Sequence, residues 1–194
     1  METTTRERII TAAGKLFYAE GIRAVSMESV AEKVGVTKRT LYYHFASKDD
    51  LIAAYLDGRD QPSLAFFQGW FASTDGGLAD KVRSIFTNLA QSARHPQWKG
   101  CGFLRTTAEL ANMPGHPAVK AGAAHKKRVE TWLRELFEAA TIESAATLSR
   151  QIMLLLDGSF AVVLLHREPS YMETAGEAAH ALVSAALGAR ESEP

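Results

Sequence analysis

The sequence is poor in cysteine and carries no net charge, and each of these shortages excludes a class of protein. One cysteine in 194 residues, Cys101, excludes an intrachain disulfide and a zinc site built from cysteines alone. Lysine and arginine total 22, as do aspartate and glutamate, which argues against a general nucleic-acid coat protein. The hydrophobic content of 46% is ordinary for a globular chain and excludes extended disorder.

The sequence also lacks an apolar run long enough to cross a bilayer. The longest run, residues 152–165, is interrupted by Asp157, Gly158 and Ser159, and it is shorter than the roughly 18 to 20 residues that a spanning helix needs. The first ten residues, METTTRERII, contain no apolar segment of a signal peptide. We therefore expect a cytoplasmic protein with no membrane partner, in which residues 152–165 form a buried helix.

The bases are concentrated at the amino-terminal end. Residues 1–48 contain eight lysines and arginines and five acids, so this segment has a net charge of +3 and the remainder has −3. A modest basic excess suits binding at a specific DNA site, where few phosphates are neutralised.

Residues 26–48, SMESVAEKVGVTKRTLYYHFASK, predict two short helices joined by a tight turn. Ser26 and Thr37 are the expected N-caps of the two helices. Gly35 can take the positive φ that a sharp reversal between helices needs. Leu41 and Phe45 are four residues apart, so both must face the first helix if the pair is to bury anything. The pattern predicts a helix-turn-helix that reads DNA.

The opposite face of the second helix carries side chains suited to DNA. At 100° per residue, Arg39, Thr40 and Tyr43 lie opposite the buried stripe, and three more polar or aromatic side chains flank it. Arginine can read a guanine edge, threonine can contact a thymine methyl, and tyrosine and lysine can hold phosphates. Ser47, three residues before Asp50, predicts a capping box for the next helix. The predicted DNA-binding residues are Ser26, Thr37, Lys38, Arg39, Thr40, Tyr42, Tyr43, His44 and Lys48.

This segment resembles the amino-terminal domain of TetR-family transcriptional regulators. The resemblance covers the opening helix RERIITAAGKLFYAEGI, the SMESVAEKVGVTKRTLYYHF motif and the SKDDLI step after it, in the order and spacing of the family. It implies a homodimer, a helical carboxy-terminal ligand domain and release of operator DNA when a ligand binds. One departure is Gly14 inside the first helix, which we expect to allow close packing against a neighbour.

The rest of the chain predicts helices and no strand. We expect the helix that opens at Ser47 to end near Gly58, and Pro62 to open a short aromatic helix. Further helices are expected at residues 78–93, 119–137, 143–166 and 175–187. The fold class is therefore all-α. A three-helix helix-turn-helix domain at residues 1–48 precedes a helical ligand-binding and dimerisation domain at residues 49–194.

The last two predicted helices carry more apolar surface than one subunit easily hides. Residues 143–166 are apolar nearly all round, and residues 175–187 carry a stripe of small and apolar side chains. We expect these two helices to form a four-helix bundle with those of a second subunit, giving a homodimer. The alternative is that they complete the core of a single subunit.

Aromatic and polar side chains in the middle of the chain are candidates for a ligand cavity. Most aromatic residues of a helical domain fill its core, whereas polar groups among them can orient an apolar ligand. Asp157 is the sharpest candidate, because a carboxylate in an apolar run is costly to bury unpaired. It either contacts the ligand or pairs with Arg105 or Arg150. The predicted ligand-binding residues are Phe67, Trp70, Phe86, Cys101, Arg105, Glu109, Trp132 and Asp157.

The favoured function is a ligand-responsive DNA-binding regulator that represses as a homodimer on a palindromic operator, and two alternatives stay open. Cys101 could make the protein a thiol-based redox sensor, although a small buried hydrophobe is its more ordinary role. The second alternative is a small helical enzyme. The sequence has no Gly-rich phosphate loop, no Gly-x-Ser-x-Gly and no His-Glu-x-x-His, and its histidines are not at metal-ligand spacing. We expect no enzymatic activity, cofactor or metal.

Overall fold

The computed structural model describes residues 3–191, and within that range the chain forms nine α-helices and no strand. The all-α prediction is confirmed. In chain order the helices are α1 (Thr5–Glu20), α2 (Met27–Val34), α3 (Lys38–His44), α4 (Lys48–Ser73), α5 (Leu78–Ala93), α6 (Gly102–Glu109), α7 (Pro117–Ala139), α8 (Ala145–His166) and α9 (Ser170–Glu191).

The predicted caps and turn of the helix-turn-helix are confirmed. The Ser26 hydroxyl accepts a hydrogen bond from the Ser29 amide at 3.0 Å at the start of α2. The Thr37 hydroxyl accepts one from the Thr40 amide at 3.1 Å at the start of α3. Between the two helices Gly35 has φ 75° and ψ 38°, a left-handed conformation that costs little only without a Cβ. Local hydrogen bonds therefore fix where both helices begin.

Helix α4 is longer than predicted, and the predicted break near Gly58 and Pro62 is wrong. The helix continues through both residues to Ser73. Proline inside a helix removes the hydrogen bond to the carbonyl four residues earlier, here that of Gly58, at a cost of about 3 kcal/mol. Gly58 is exposed, so water can bind that carbonyl, whereas Asp60 and Leu64 on either side of the proline are buried. Burial of the flanking residues outweighs the local preference for a break.

Four of the five helices after α4 correspond to predicted ranges and three of them differ at their ends, whereas α6 has no counterpart among those ranges. Helix α5 has the predicted bounds, α8 starts two residues later than predicted, and α7 and α9 extend beyond the predicted ranges at both ends. The early start of α9 is explained by Met172, which is fully buried although it lies before the predicted range. Arg167 ends α8 in a left-handed conformation.

Contacts divide the chain into two compact units. The first comprises Met1–Pro62 and Cys101–His125, and the second comprises Ser63–Gly100 and Lys126–Pro194; residues 1, 2 and 192–194 lie outside the described range. Helix α6 and the start of α7 thus belong with the helix-turn-helix helices. The predicted functional boundary between residues 48 and 49 stays a prediction, because these units are defined by contacts alone.

The first unit has a single apolar core to which α1, α2, α3, α4 and α6 contribute. Phe17, Leu41, Leu51 and Phe103 are among its buried members. A Cβ at Gly14 would lie 2.8 Å from the ring of Tyr55, closer than any side chain allows. The predicted reason for this glycine, close packing of α1 against a neighbour, is confirmed.

Two side chains of α6 hold the carboxy-terminal end of α1 and the loop after it. Arg105 donates to the carbonyl oxygen of Tyr18 at 2.8 Å. The Glu109 carboxylate accepts hydrogen bonds from the amides of Ile22 at 3.3 Å and Arg23 at 3.1 Å. A cation at the carbonyl end of a helix and a carboxylate on free amides are both favourable pairings. We call this set the α6–α1 clamp.

Replacing Glu109 by alanine is expected to lower the free energy of unfolding by about 1 to 3 kcal/mol, because two amides lose a charged acceptor. The comparison is Glu135→Ala, which removes an exposed carboxylate of α7 and should leave stability unchanged within about 0.5 kcal/mol. Urea unfolding followed by circular dichroism measures both. Equal midpoints for the two variants would show that the clamp contributes nothing to stability.

The second unit is built on contacts of α9 with α5 and with α8. A Cβ at Gly176 of α9 would lie 2.9 Å from the Cβ of Phe86 on α5, so the two helix axes approach closely where the glycine faces the phenylalanine. Val82, Ile85 and Phe86 of α5 are fully buried. This packing fixes α9 on one side and leaves its opposite side exposed.

Candidate nucleic-acid interface

Helix α3 buries one stripe and exposes the side chains that were predicted to meet DNA. Leu41 is fully buried, whereas Lys38, Arg39, Tyr42 and Tyr43 are exposed. Tyr43 is 85% exposed, a costly position for an aromatic ring unless a partner covers it. His44 is half-buried, and its ring meets the Tyr43 ring edge-on at a centroid distance of 5.2 Å.

Three of the remaining predicted DNA contacts, Ser26, Thr37 and Thr40, make hydrogen bonds within the chain. The hydroxyls of Ser26 and Thr37 are occupied as helix caps. The Thr40 hydroxyl lies 2.8 Å from that of Thr37 and its side chain is half-buried, as is that of Lys48. Arg39 and Tyr43 are therefore the side chains of α3 best placed to reach a base edge, and the DNA contacts of the whole set stay a prediction.

Lys38 is held by an acid of the neighbouring helix. Its ammonium group pairs with the Glu28 carboxylate of α2, and both side chains are exposed. The hydrogen bond from Lys38 lowers the pKa of Glu28 below its ordinary value, and Glu28 raises the pKa of Lys38. Because the lowered pKa keeps Glu28 charged and the raised pKa keeps Lys38 charged, the pair persists at neutral pH and is lost in acid or in strong alkali.

Two arginines of α1 support this surface, and neither was predicted from the sequence. Arg8 donates to the carbonyl oxygen of Val34, the last residue of α2, at 2.9 Å. The guanidinium of Arg6 lies 5.0 Å from the ring centroid of Phe45, just after α3. Their only signal in the sequence is a pair of bases in the first turn of α1, and no spacing rule connects Arg8 to Val34, 26 positions later, or Arg6 to Phe45, 39 positions later.

The predicted ligand-binding residues are divided between the two compact units. Cys101, Arg105 and Glu109 lie in the first unit, where the latter two form the α6–α1 clamp. Phe67, Trp70, Phe86, Trp132 and Asp157 lie in the second unit. Phe86 of α5 is fully buried and packs against Gly176 of α9. The ligand role of each residue stays a prediction.

Half-buried aromatic rings gather on the second half of α4 and on α7. The rings of Phe67 and Trp70 are 5.8 Å apart between centroids, and Phe71 meets Trp132 edge-on at 5.7 Å. Phe66 stacks on Trp70 at 6.0 Å and is 62% exposed. These are favourable aromatic geometries. Because the cluster consists of aromatic rings, it contains the most apolar of the predicted ligand-binding residues.

Asp157 has an ion-pair partner that differs from the two arginines that the sequence suggested. The ammonium group of Lys126 on α7 lies 2.5 Å from its carboxylate. Arg150 faces Glu130 at 3.7 Å, and Arg105 is bonded to Tyr18. Lys126 precedes Asp157 by 31 residues, so only the packing of α7 against α8 could bring them together.

Two buried histidines each pair with an aspartate, and neither pair was predicted from the sequence. The Nδ1 atom of His125 lies 2.7 Å from a carboxylate oxygen of Asp60, and the His125 ring stacks on Phe103 with centroids 3.8 Å apart. The Nε2 atom of His116 lies 3.2 Å from a carboxylate oxygen of Asp49. Each pair joins α4 to α7 or the segment before it. Within residues 3–191, no three His, Cys, Asp or Glu side chains converge as a metal site would require.

Two short capped helices at a tight glycine turn, the second with an exposed basic and aromatic face, define the helix-turn-helix class of DNA-binding proteins. The family model of bacterial regulatory proteins of the tetR family matches residues 9–55. The structure of SCO4454, a TetR-family transcriptional regulator from Streptomyces coelicolor, is 32% identical, with a TM-score of 0.77 over 95% of this chain and 94% of that one. The chain belongs to the TetR family of transcriptional regulators, and its helix-turn-helix is a DNA-binding domain.

Two curated relatives are transcriptional regulators of the same helix-turn-helix type. SrpR of Pseudomonas putida is 30% identical over 95 residues, which cover 49% of this chain and 42% of SrpR. YjdC of Escherichia coli is 22% identical over 170 residues, 88% of each chain. The match thus spans less than half the length of SrpR and most of the length of YjdC.

Proposed function

We propose that this protein is a ligand-responsive repressor that binds a palindromic operator as a homodimer and releases it when a small molecule binds. The observation that carries the proposal is the exposed face of α3, where Arg39 and Tyr43 stand out from a helix whose other side is buried. A single short helix contacts few base pairs. Two copies related by a two-fold axis would read two half-sites about one helical turn apart.

The exposed faces of α8 and α9 support the dimer. Leu154 and Leu165 of α8 are about three-quarters exposed, and Gly158 and Ala161 lie exposed on the same stripe. The exposed stripe of α9 is made of small side chains, Thr174, Ala178, Ala181, Ala185 and Gly188. Small residues allow close helix approach, and a two-fold axis would pair the same surface with itself in a four-helix bundle.

The same dimer explains the apolar character of α8 without a membrane. Among the described helices, α8 is long and apolar enough to span a bilayer by length and composition, a test that core helices of soluble proteins also pass. One side of α8 is buried in its own chain, and the partner subunit would cover the other. The proposal therefore needs no membrane partner and places the protein in the cytoplasm. A regulator of this kind also needs no enzymatic activity, and we propose none.

The effector is proposed to be a largely apolar small molecule that meets the aromatic cluster of Phe67, Trp70 and Trp132. Aromatic walls with a few polar groups are the ordinary lining of such sites. A ligand can release DNA only if it binds the released conformation more tightly than the operator-bound one. In this proposal the hydrogen bonds of Arg105 and Glu109, which form the α6–α1 clamp, change when the effector binds.

Selection of bound duplexes from a random DNA pool by the purified protein tests the proposal. An enriched inverted repeat is expected, and adding the effector should release it. Enrichment of a single half-site would contradict the symmetric dimer. A pool that stays random at low salt, with the protein folded and soluble, would contradict operator binding.

Replacing Glu28 by glutamine is expected to raise the affinity for the selected operator about three- to tenfold at low salt, because Lys38 is then free for a phosphate. Fluorescence anisotropy with labelled operator measures this. In a Lys38→Gln background the same change should have a much smaller effect. An equal gain in both backgrounds would mean that Glu28 acts only through general repulsion of DNA.

A further inference from the structure

A groove between α1 and the first half of α4 has the features of a small-molecule site separate from the proposed effector region. Its volume is about 370 Å³, which is within the range of sites for small organic ligands. Every lining residue belongs to the first compact unit. The helix-turn-helix unit therefore contains this groove entirely within itself.

Two glycines and an aromatic ring shape the inside of the groove. Gly14 of α1 brings the backbone against the ring of Tyr55, and Gly58 of α4 leaves open space up to the side chain of Ile10, 4.0 Å from an ideal Cβ. The Tyr18 side chain contributes a second aromatic wall. The groove floor is therefore apolar, with glycine backbone beside two aromatic rings, and a flat apolar body can lie on it.

The charge of the groove is positive and uncompensated. Lys15 and Arg59 line it and are exposed. Neither makes an ion pair within the described part of the chain, and no carboxylate lines the groove. The Arg59 guanidinium lies 5.9 Å from the ring centroid of Tyr55, so its charge stands next to the aromatic wall. An anion at this rim would meet two cations and no repelling acid.

We propose that this groove binds an aromatic monocarboxylate. The ring lies along Gly14, Gly58 and the Tyr55 ring, and the carboxylate meets Lys15 and Arg59 at the rim. The site is independent of the aromatic cluster assigned to the effector, because none of its lining residues belongs to that cluster. Binding is measured without DNA, so its outcome does not depend on the proposed repressor function.

The test is isothermal titration of the full chain with 2-naphthoate, and with 2-naphthamide as the neutral analogue of the same shape. Saturable binding of naphthoate is expected, at least about tenfold tighter than that of the amide. The double variant Lys15→Gln, Arg59→Gln should remove this preference for the acid. Naphthoate that shows no saturable binding, or that binds no better than the amide, overturns the proposal.

A matched pair of glycine substitutions locates the site. Gly58→Leu fills the groove from an exposed position of α4 and is expected to weaken naphthoate binding at least about tenfold. Gly69→Leu makes the same change in the same helix, where no atom lies within 4 Å of an ideal Cβ, and binding should be unchanged. Leucine favours helix over glycine, so both variants should fold. Naphthoate binding that Gly58→Leu leaves intact overturns the proposal.

Discussion

Replacing Arg39 and Tyr43 together by alanine is expected to lower the affinity for the selected operator about a hundredfold or more. Each side chain that contacts a base edge contributes roughly 1 to 3 kcal/mol of discrimination. Both residues lie on the exposed face of α3 and support no core contact, since the buried residue of that helix is Leu41. Fluorescence anisotropy with operator and with unrelated DNA measures the loss and its specificity.

The control for this pair is Lys120→Ala combined with Met113→Ala. It also removes one exposed cation and one exposed large side chain, at positions outside α3. Operator affinity should change less than about threefold, and both double variants should keep the wild-type melting temperature within a few degrees. If the Arg39 and Tyr43 variant still bound the operator as tightly as the control, α3 would not be the recognition helix.

Replacing Leu154 by arginine is expected to give the second large effect, conversion of the dimer to a monomer at micromolar concentration. Leu154 is 74% exposed in the single chain, at the middle of the α8 stripe. In a two-fold interface the substitution occurs twice, and each unpaired arginine costs several kcal/mol to bury in an apolar contact. Sedimentation velocity should then show a species of 21.2 kDa in place of one of twice that mass.

Phe66→Arg is the matched control, because it places the same cation at an exposed large apolar residue of another helix. It should leave the sedimentation coefficient unchanged. Operator affinity should fall steeply for Leu154→Arg alone, since a monomer loses the benefit of holding both half-sites at once. A wild-type protein that already sediments as a monomer would refute the dimer, as would a Leu154→Arg variant that stays dimeric.

The amino-acid sequence by itself determined the helix-turn-helix. Ser26 and Thr37 cap amides three residues away, and Gly35 takes its positive φ without help from any distant residue. The exposed position of Arg39 and Tyr43 follows from the 100° rotation per residue once Leu41 is buried. These features depend on interactions within one or two turns of helix, which the order of residues specifies directly.

Tertiary structure alone decided the features that join distant segments. Helix α4 continues through Pro62 because residues on both sides of it are buried, against the local preference that predicted a break. Asp157 pairs with Lys126 because α7 and α8 lie side by side, although the sequence offered two arginines that looked equally suitable. Glu109 binds amides 86 and 87 positions earlier in the chain. Hydrophobic burial is nondirectional and acts between any segments that meet, so sequence spacing could not specify these partners.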